Sequence, residues 1–243
     1  RPATVLEPAS AVMIHSAPTS LIETGLAAEH LLRLKERGWF RFLGASVYGE
    51  DAALAAIDAG GLNEKEVQDT RYQIAQMFLA QEKWKEGAAA LEDWFRTAKE
   101  PNGAAYYLLA VAYYQMEDFK RAIVPAQKAV DLTDKPQEGW VQLVLALYLQ
   151  QDQYANAVPL LKKLINMAPD KKTYWQQLSS VYGQMEDYKK SLAVAQLAYN
   201  GGILTEDADV RRLADLQLFN DAPYRCGLTL EEAVQKKLVK VDF

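Results

Sequence analysis

The chain repeats itself at a short interval. The octapeptide QMEDFKRA, which begins at Gln115, recurs as QMEDYKKS beginning at Gln184, 69 residues later. Weaker copies begin at Glu82 and Asp152, which align with Glu117 and Glu186, so neighbouring copies are 34 or 35 residues apart. A segment of this length cannot bury its apolar face alone and gains a core only by stacking against its neighbours. The sequence therefore predicts an array of small, similar units.

Aligning the copies places an aromatic residue in every unit and a small residue three positions after it. The aromatic residues are 34 to 36 residues apart, at Trp84, Phe119, Tyr154, Tyr188 and Tyr224. The small residues are Gly87, Ala122, Ala157, Ser191 and Gly227. Small side chains let two helices approach closely, and aromatic rings fill the space between one hairpin and the next. This pattern favours pairs of packed helices.

The pattern resembles the tetratricopeptide-repeat (TPR) family, whose 34-residue unit is a helix–turn–helix. One unit of the chain matches it at Tyr106, Leu109, Ala110, Tyr113, Ala122, Ala126 and Ala129. Another matches it at Trp175, Leu178, Ser179, Tyr182, Ser191, Ala195 and Ala198. The resemblance implies an all-α fold, a TPR solenoid of antiparallel helix pairs that winds into a right-handed superhelix.

The repeats occupy the middle and the end of the chain. Residues 68–237 are predicted to form about five TPR units, followed by a tail at 238–243. Residues 1–20 contain three prolines and no helical period, which predicts an irregular N-terminal arm. Residues 21–67 are expected to form one helix, Thr24–Arg37, and a degenerate TPR unit whose implied start is Arg37 and whose family match is at Phe40, Leu43 and Gly44.

Two details of the turns are also predicted. Glu82, Glu117, Asp152 and Glu186 are expected to open the second helix of their pairs, because a negative charge is favourable at a helix N-terminus. The last turn, residues 220–223, is expected to be one residue longer than the others.

Charge and composition narrow the choice of partner. The net charge is −5 and the sequence has no dense basic run, which argues against nucleic-acid binding. No apolar stretch approaches the roughly 20 residues of a membrane helix, so we expect no direct membrane insertion. The sequence begins at Arg1 rather than Met, and we expect a fragment or a processed chain.

No combination of residues in the sequence indicates catalysis. The two histidines, His15 and His30, have no nucleophile or acid at a spacing that suggests a site. The single cysteine, Cys226, follows a turn at a packing position and is expected to be a small buried hydrophobe. We therefore predict a non-enzyme with no catalytic residue, metal site or cofactor.

The resemblance implies a concave groove lined mainly by the first helix of each pair. The residues that match the groove positions of the family are Tyr72, Gln76, Tyr107, Val111, Tyr114, Gln142, Ala146, Gln176 and Ser180. This set is uncharged, and amides can donate to and accept from a peptide backbone at once. It predicts a protein or peptide partner held by apolar contacts and backbone hydrogen bonds. The alternatives are tyrosines that pack between hairpins and glutamines on a solvated helix face.

Three runs carry a closer resemblance: residues 73–81, 105–115 and 175–182. With the surrounding residues 68–227 they are similar to a bacterial TPR family associated with TonB-type energy-transducing systems, whose partners resemble ExbB and ExbD. The resemblance implies a periplasmic or envelope-associated scaffold. Two alternatives stay open, a cytoplasmic peptide-binding chaperone or adaptor and a non-catalytic subunit of an enzyme complex.

Overall fold

The computed structural model describes residues 9–15 and 40–46 as backbone, and residues 63–239 with their side chains. The chain divides into two compact units, Arg1–Pro125 and Ala126–Phe243. The boundary between them lies inside the helix Phe119–Asp131.

Residues 63–239 contain ten α-helices. They are α1 (Glu64–Ala80), α2 (Trp84–Thr97), α3 (Gly103–Gln115), α4 (Phe119–Asp131), α5 (Glu138–Gln150), α6 (Tyr154–Met167), α7 (Lys172–Gln184), α8 (Tyr188–Asn200), α9 (Asp207–Phe219) and α10 (Pro223–Gln235). Three non-helical residues join the two helices of each of the five pairs, α1–α2 through α9–α10. The predicted array of helix pairs is confirmed, although α1 begins four residues before the predicted start at 68.

Helices pack mainly against their neighbours in sequence. In the first unit α2 packs against α1 and α3, and α1 also contacts α3. In the second unit each helix from α5 to α10 packs against the next one. The large apolar side chains that are completely buried are Leu91 in the first unit and Val141, Val144, Leu147, Leu161, Leu164, Val210 and Leu213 in the second. Each contributes about 1.5–3 kcal/mol through removal of apolar surface from water.

The turn inside each pair has one geometry throughout. The middle turn residue is left-handed, with φ between 53° and 59°, at Glu82, Glu117, Asp152, Glu186 and Asp221. At Glu186 the N–H donates to the Gly183 carbonyl, and the next N–H, of Asp187, donates back to the Tyr182 carbonyl at 2.9 Å. The same two bonds recur in the other four turns. This is the Schellman motif, which ends a helix and reverses the chain.

The acidic residues therefore act differently from the prediction. Glu82, Glu117, Asp152 and Glu186 end the first helix rather than open the second. In two turns the following aspartate opens the second helix: Asp187 accepts the Lys190 N–H at 3.1 Å, and Asp118 accepts the Arg121 N–H at the same distance. The hydrogen bonds from these basic residues lower the pKa of both aspartates. The predicted charge preference therefore holds in two of the four turns, one residue later than expected, whereas Lys83 and Gln153 occupy that place in the other two.

The last turn is not longer than the others, so that prediction is wrong. Residues 220–222 form a three-residue turn, and α10 begins at Pro223, where a missing N–H costs nothing. Pro223 thus takes the place of the aromatic residue, and Tyr224 is 78% exposed. The small residue three positions later is Cys226, which is buried as expected for a packing position, whereas Gly227 is exposed.

Three of the predicted small residues, Gly87, Ala157 and Ser191, lie where two helices of a pair meet. Ala157 is completely buried between α5 and α6. A Cβ on Gly87 would come within 2.8 Å of the Leu79 Cγ, so α2 approaches α1 closely at this point. In α7–α8 the contact is polar: Ser179 Oγ donates to the Ser191 carbonyl, and Ser191 Oγ donates to the Ser179 carbonyl at 2.8 Å.

Two short strands replace what was predicted near the N-terminus. Strand β1 (Ala9–His15) pairs in parallel with β2 (Phe40–Ser46), with Val12 opposite Leu43. The predicted TPR helix is therefore wrong over Phe40–Ser46, and so is an irregular conformation at 9–15. Short apolar runs such as these suit a strand as well as a helix, and periodicity alone does not separate the two. The predicted helix Thr24–Arg37 and the tail beyond residue 239 lie outside the described residues.

The tight packing of α6 on α5 leads to a prediction. Ala157→Leu should lower the free energy of unfolding by about 1–3 kcal/mol, because a completely buried site has no room for three added carbons. The matched control is Ala155→Leu, two residues earlier on the exposed face of the same helix, which should change it by less than about 0.5 kcal/mol. Urea unfolding followed by circular dichroism measures both, and equal losses would contradict this helix register.

Candidate protein-binding surface

The predicted groove residues of the first unit lie on α1 and α3. Tyr72 is half-buried, and its ring centroid is 4.8 Å from that of Trp94 on α2. Burial raises the pKa of Tyr72, while a hydrogen bond with Gln76 acts in the opposite direction. Gln76 itself is exposed. Tyr72 therefore already packs inside the α1–α2 pair and offers only part of its ring to a partner.

The three predicted residues on α3 are all half-buried. The Tyr114 ring lies 5.6 Å from the Phe119 ring, and Val111 lies one turn before Tyr114. Tyr107 also has a partner within the chain. Tyr114 and Tyr107 thus both make contacts within the chain, as the packing alternative predicted. The part of each side chain that remains exposed can contact a partner.

Sequence reasoning missed two aromatic residues that hold the first unit together. Trp94 and Phe95, adjacent on α2, have ring centroids 5.1 Å apart. Phe95 stacks on Tyr106 of α3, with ring centroids 4.5 Å apart. The Trp94 indole N–H donates to the main-chain carbonyl of Gln68 at 3.1 Å. These two positions lie outside the repeated pattern. The one sequence feature that could have indicated their role is that two aromatic residues are adjacent there.

The glutamines of the second unit have partners in the next repeat. Gln142 Nε2 donates to the Tyr174 hydroxyl, and Gln176 Nε2 donates to the Asp209 carboxylate. Tyr174 and Asp209 are each the third residue of their helix, so both bonds link the first helix of one pair to the first helix of the next. These amides join neighbouring repeats. The sequence analysis predicted for them only a contact with a peptide backbone or a place on a solvated helix face.

Charges near these glutamines are paired. Lys171 Nζ lies 2.6 Å from a Glu138 carboxylate oxygen, and hydrogen bonds from Lys171 and Tyr174 lower the pKa of Glu138. Lys172 Nζ lies 2.5 Å from Glu206 and 3.4 Å from the buried Asp209. Solvent screens the exposed pairs among these, such as Lys171–Glu138, and they contribute little to stability. Their main effect is to neutralise the local charge beside Gln142 and Gln176.

Ser180 opens onto a cleft in the second unit. The cleft, of about 400 Å³, lies where α7 and α8 face α9, and we name it the Gly183 cleft. Its walls include Ser180, Gly183, Tyr188, Arg212, Asp215 and Phe219. The Tyr188 and Phe219 rings meet edge to face at 4.5 Å. Of the predicted residues, Ser180 alone lines this cleft, and Ala146 is half-buried on α5.

A smaller cleft of about 250 Å³ lies in the first unit, between the start of α1 and the end of α2. Its lining mixes both signs of charge with Trp94 and Gln68. Gln68 Nε2 donates to the Thr97 hydroxyl at 2.7 Å, and its Oε1 has no partner among the described residues. Water satisfies an acceptor of this kind readily, so the cleft carries little information on function.

Neither cleft contains a recognisable catalytic arrangement. Within residues 63–239 and the two described strands, no three His, Cys, Asp or Glu side chains are grouped so as to hold a metal ion. Over the same residues, none of the helices combines the length and apolar character that crossing a membrane requires.

Comparison with known proteins agrees with the helix-pair geometry. Residues 103–136, which include α3 and α4, match the family model described as a tetratricopeptide repeat. MamA from Desulfovibrio magneticus RS-1, from its residue 41 onward, is 20% identical, with a TM-score of 0.50 over 69% of this chain and 93% of that chain. No curated protein sequence matches the chain.

Two further structures are similar. YrrB, described as a TPR protein with an unusual peptide-binding site, is 13% identical, with a TM-score of 0.54 over 76% of this chain and 91% of its own. MamA of AMB-1 is 15% identical, with a TM-score of 0.52 over 72% and 94%. At these identities the likeness shows the fold, which is that of a TPR solenoid built from antiparallel helix pairs.

The link between α7 and α9 leads to a prediction. Gln176→Ala should lower the free energy of unfolding by about 1–2 kcal/mol, because it removes a hydrogen bond to the buried Asp209 carboxylate. Gln177→Ala, the exposed neighbour on the same helix, should change it by less than about 0.5 kcal/mol. Thermal unfolding at neutral pH compares them, and a Gln176→Ala variant as stable as wild type would mean that this amide has no structural role.

Proposed function

We propose that the chain is a non-catalytic scaffold that holds a polypeptide segment against the first helices of its repeats. The observation that carries this proposal is the character of those helices. They present tyrosine, glutamine, valine, alanine and serine at the predicted groove positions, and none of the nine residues is charged. Such a surface suits apolar contacts together with hydrogen bonds to a peptide backbone.

The fold supports the same proposal by analogy. TPR solenoids expose long surfaces built from repeated helices, and such surfaces commonly bind other proteins. YrrB, which shares the fold, is described as having a peptide-binding site. The half-buried Tyr107, Val111 and Tyr114 of α3 form the most apolar of the predicted contact sets. We therefore place the strongest contact with the partner on α3.

The test is a titration with a partner that is first recovered by its binding to the full chain and then purified. Tyr107→Ala should weaken binding by about 2 kcal/mol, roughly 30-fold, as expected for an aromatic anchor. Tyr224→Ala is the matched control, because this tyrosine is 78% exposed on a second helix and should leave affinity unchanged. Circular dichroism confirms that both variants are folded.

Salt provides a second readout in the same titration. The ratio of the wild-type affinity to the Tyr107→Ala affinity should stay within about threefold between low and high salt, because the contact on α3 is uncharged and screening acts on exposed charges. Equal binding by wild type and Tyr107→Ala, together with a steep loss at high salt, would place the site on a charged surface instead.

We further propose an envelope-associated role in a TonB-type system. The support is the resemblance carried by residues 73–81, 105–115 and 175–182. Proximity labelling from the full-length protein in its source organism should mark proteins similar to ExbB or ExbD and recover the protein in the envelope fraction. Recovery in the cytoplasm with a client peptide would favour the adaptor alternative, and recovery with an enzyme would favour the non-catalytic subunit.

A further inference from the structure

Gly183 departs from the pattern of the other repeats. It is the residue whose carbonyl accepts the N–H of the left-handed turn residue Glu186. The residues in the same place in the other four pairs are all large: Leu79, Tyr114, Leu149 and Leu218. A glycine here disfavours the helix relative to alanine. The fourth pair therefore lacks a side chain that every other pair has.

Close packing does not explain this glycine. A Cβ built on Gly183 would have Ser191 Oγ as its nearest neighbour, at 3.9 Å, which is an ordinary contact. A larger side chain would therefore extend into open space, and that space is the Gly183 cleft. The missing side chain leaves a recess on α7 that other molecules can enter.

The recess is suited to an apolar group. At its base Ser179 and Ser191 bond to each other's carbonyls, so covering them leaves no hydroxyl without a partner. One side is formed by the Tyr188–Phe219 ring pair, and Phe219 is 63% exposed. Covering such rings with a large apolar side chain removes apolar surface from water on both molecules.

Two unpaired charges mark the edge of the cleft. Arg212 and Asp215 lie one turn apart on α9, both exposed, and neither forms an ion pair or side-chain hydrogen bond with another described residue. Their neighbours are paired: Arg211 Nε lies 2.7 Å from Asp207, and Lys190 Nζ lies 2.5 Å from Asp187. An acidic group beside Arg212 and a basic group beside Asp215 would complement both charges.

We propose that the Gly183 cleft binds a polypeptide segment in which one large apolar residue lies between an acidic and a basic residue. The apolar side chain fills the recess at Gly183. The acidic side chain pairs with Arg212, whose guanidinium suits a carboxylate, and the basic one pairs with Asp215. This inference rests on the proposed scaffold function and adds the chemistry of one contact.

The test selects phage-displayed random heptapeptides on the full 243-residue chain. The selected peptides should be enriched in Phe, Leu, Met or Trp with an acidic and a basic neighbour. The best one is synthesised with a fluorophore, and its binding is measured by fluorescence anisotropy. Gly183→Leu should weaken binding at least tenfold by filling the recess, and its melting temperature should be no lower than that of wild type because leucine favours the helix.

Charge exchange tests the edge of the cleft. Arg212→Glu and Asp215→Lys should each weaken binding about five- to tenfold. The double variant should bind a peptide with its two charges exchanged better than it binds the original. Arg225→Glu, an exposed charge reversal on α10, is the control and should leave binding unchanged.

The other outcomes are equally informative. If peptides are selected but bind Gly183→Leu as well as wild type, the cleft is not the site, while the scaffold function stands. If the selected peptides carry no charges, or if Arg212→Glu has no effect, the pairing is wrong. If no peptide is enriched, this inference fails, whereas the proposed function is decided separately by the titration of the purified partner against Tyr107→Ala. A dimer that Gly183→Leu abolishes would assign the cleft to a second copy of the chain.

Discussion

Each of the five helix pairs within residues 63–239 depends on one residue in a left-handed conformation. The N–H that follows it reaches back to the last turn of the first helix, and this bond fixes where the second helix begins. The conformation costs a non-glycine residue about 1 kcal/mol, yet no glycine occupies it in the five pair turns. The packing that the reversal permits, such as the burial of Ala157 against α5, outweighs that cost.

The turn backbone is the same in the five pairs, but the side chains at equivalent positions differ in character from one pair to another. The carbonyl that accepts the returning N–H belongs to Tyr182 in the fourth pair and to Gln217 in the fifth. Gln217 is 1% exposed, and its amide donates to Gln196 at 2.8 Å and to the Thr229 hydroxyl at 2.9 Å. A ring that fills space is thus replaced by a polar network. The backbone geometry is the shared element, and the side chains vary around it.

The repeat was readable from the sequence because close helix contact imposes small residues at a fixed interval. The positions of Ala157 and Ser191 followed directly from that rule. The partners of Gln142 and Gln176 did not, since a bond to the next repeat depends on how two pairs stack, which no local pattern encodes. The length of the last turn does not follow from the sequence pattern, because Pro223 replaces the aromatic residue that begins the second helix elsewhere and Tyr224 follows one position later. The two strands near the N-terminus could not be predicted, because short apolar runs have no periodicity that separates a strand from a helix.

The packing of α5 to α10 in strict sequence order makes this part of the molecule mechanically one-dimensional. Each pair is supported only by its neighbours, so the outermost pair frays first and opening spreads inward step by step. A ligand that contacts several pairs at once would hold them together. Its binding energy would tie together units that otherwise open separately, and amide hydrogen exchange far from the contact would slow along with exchange beneath it.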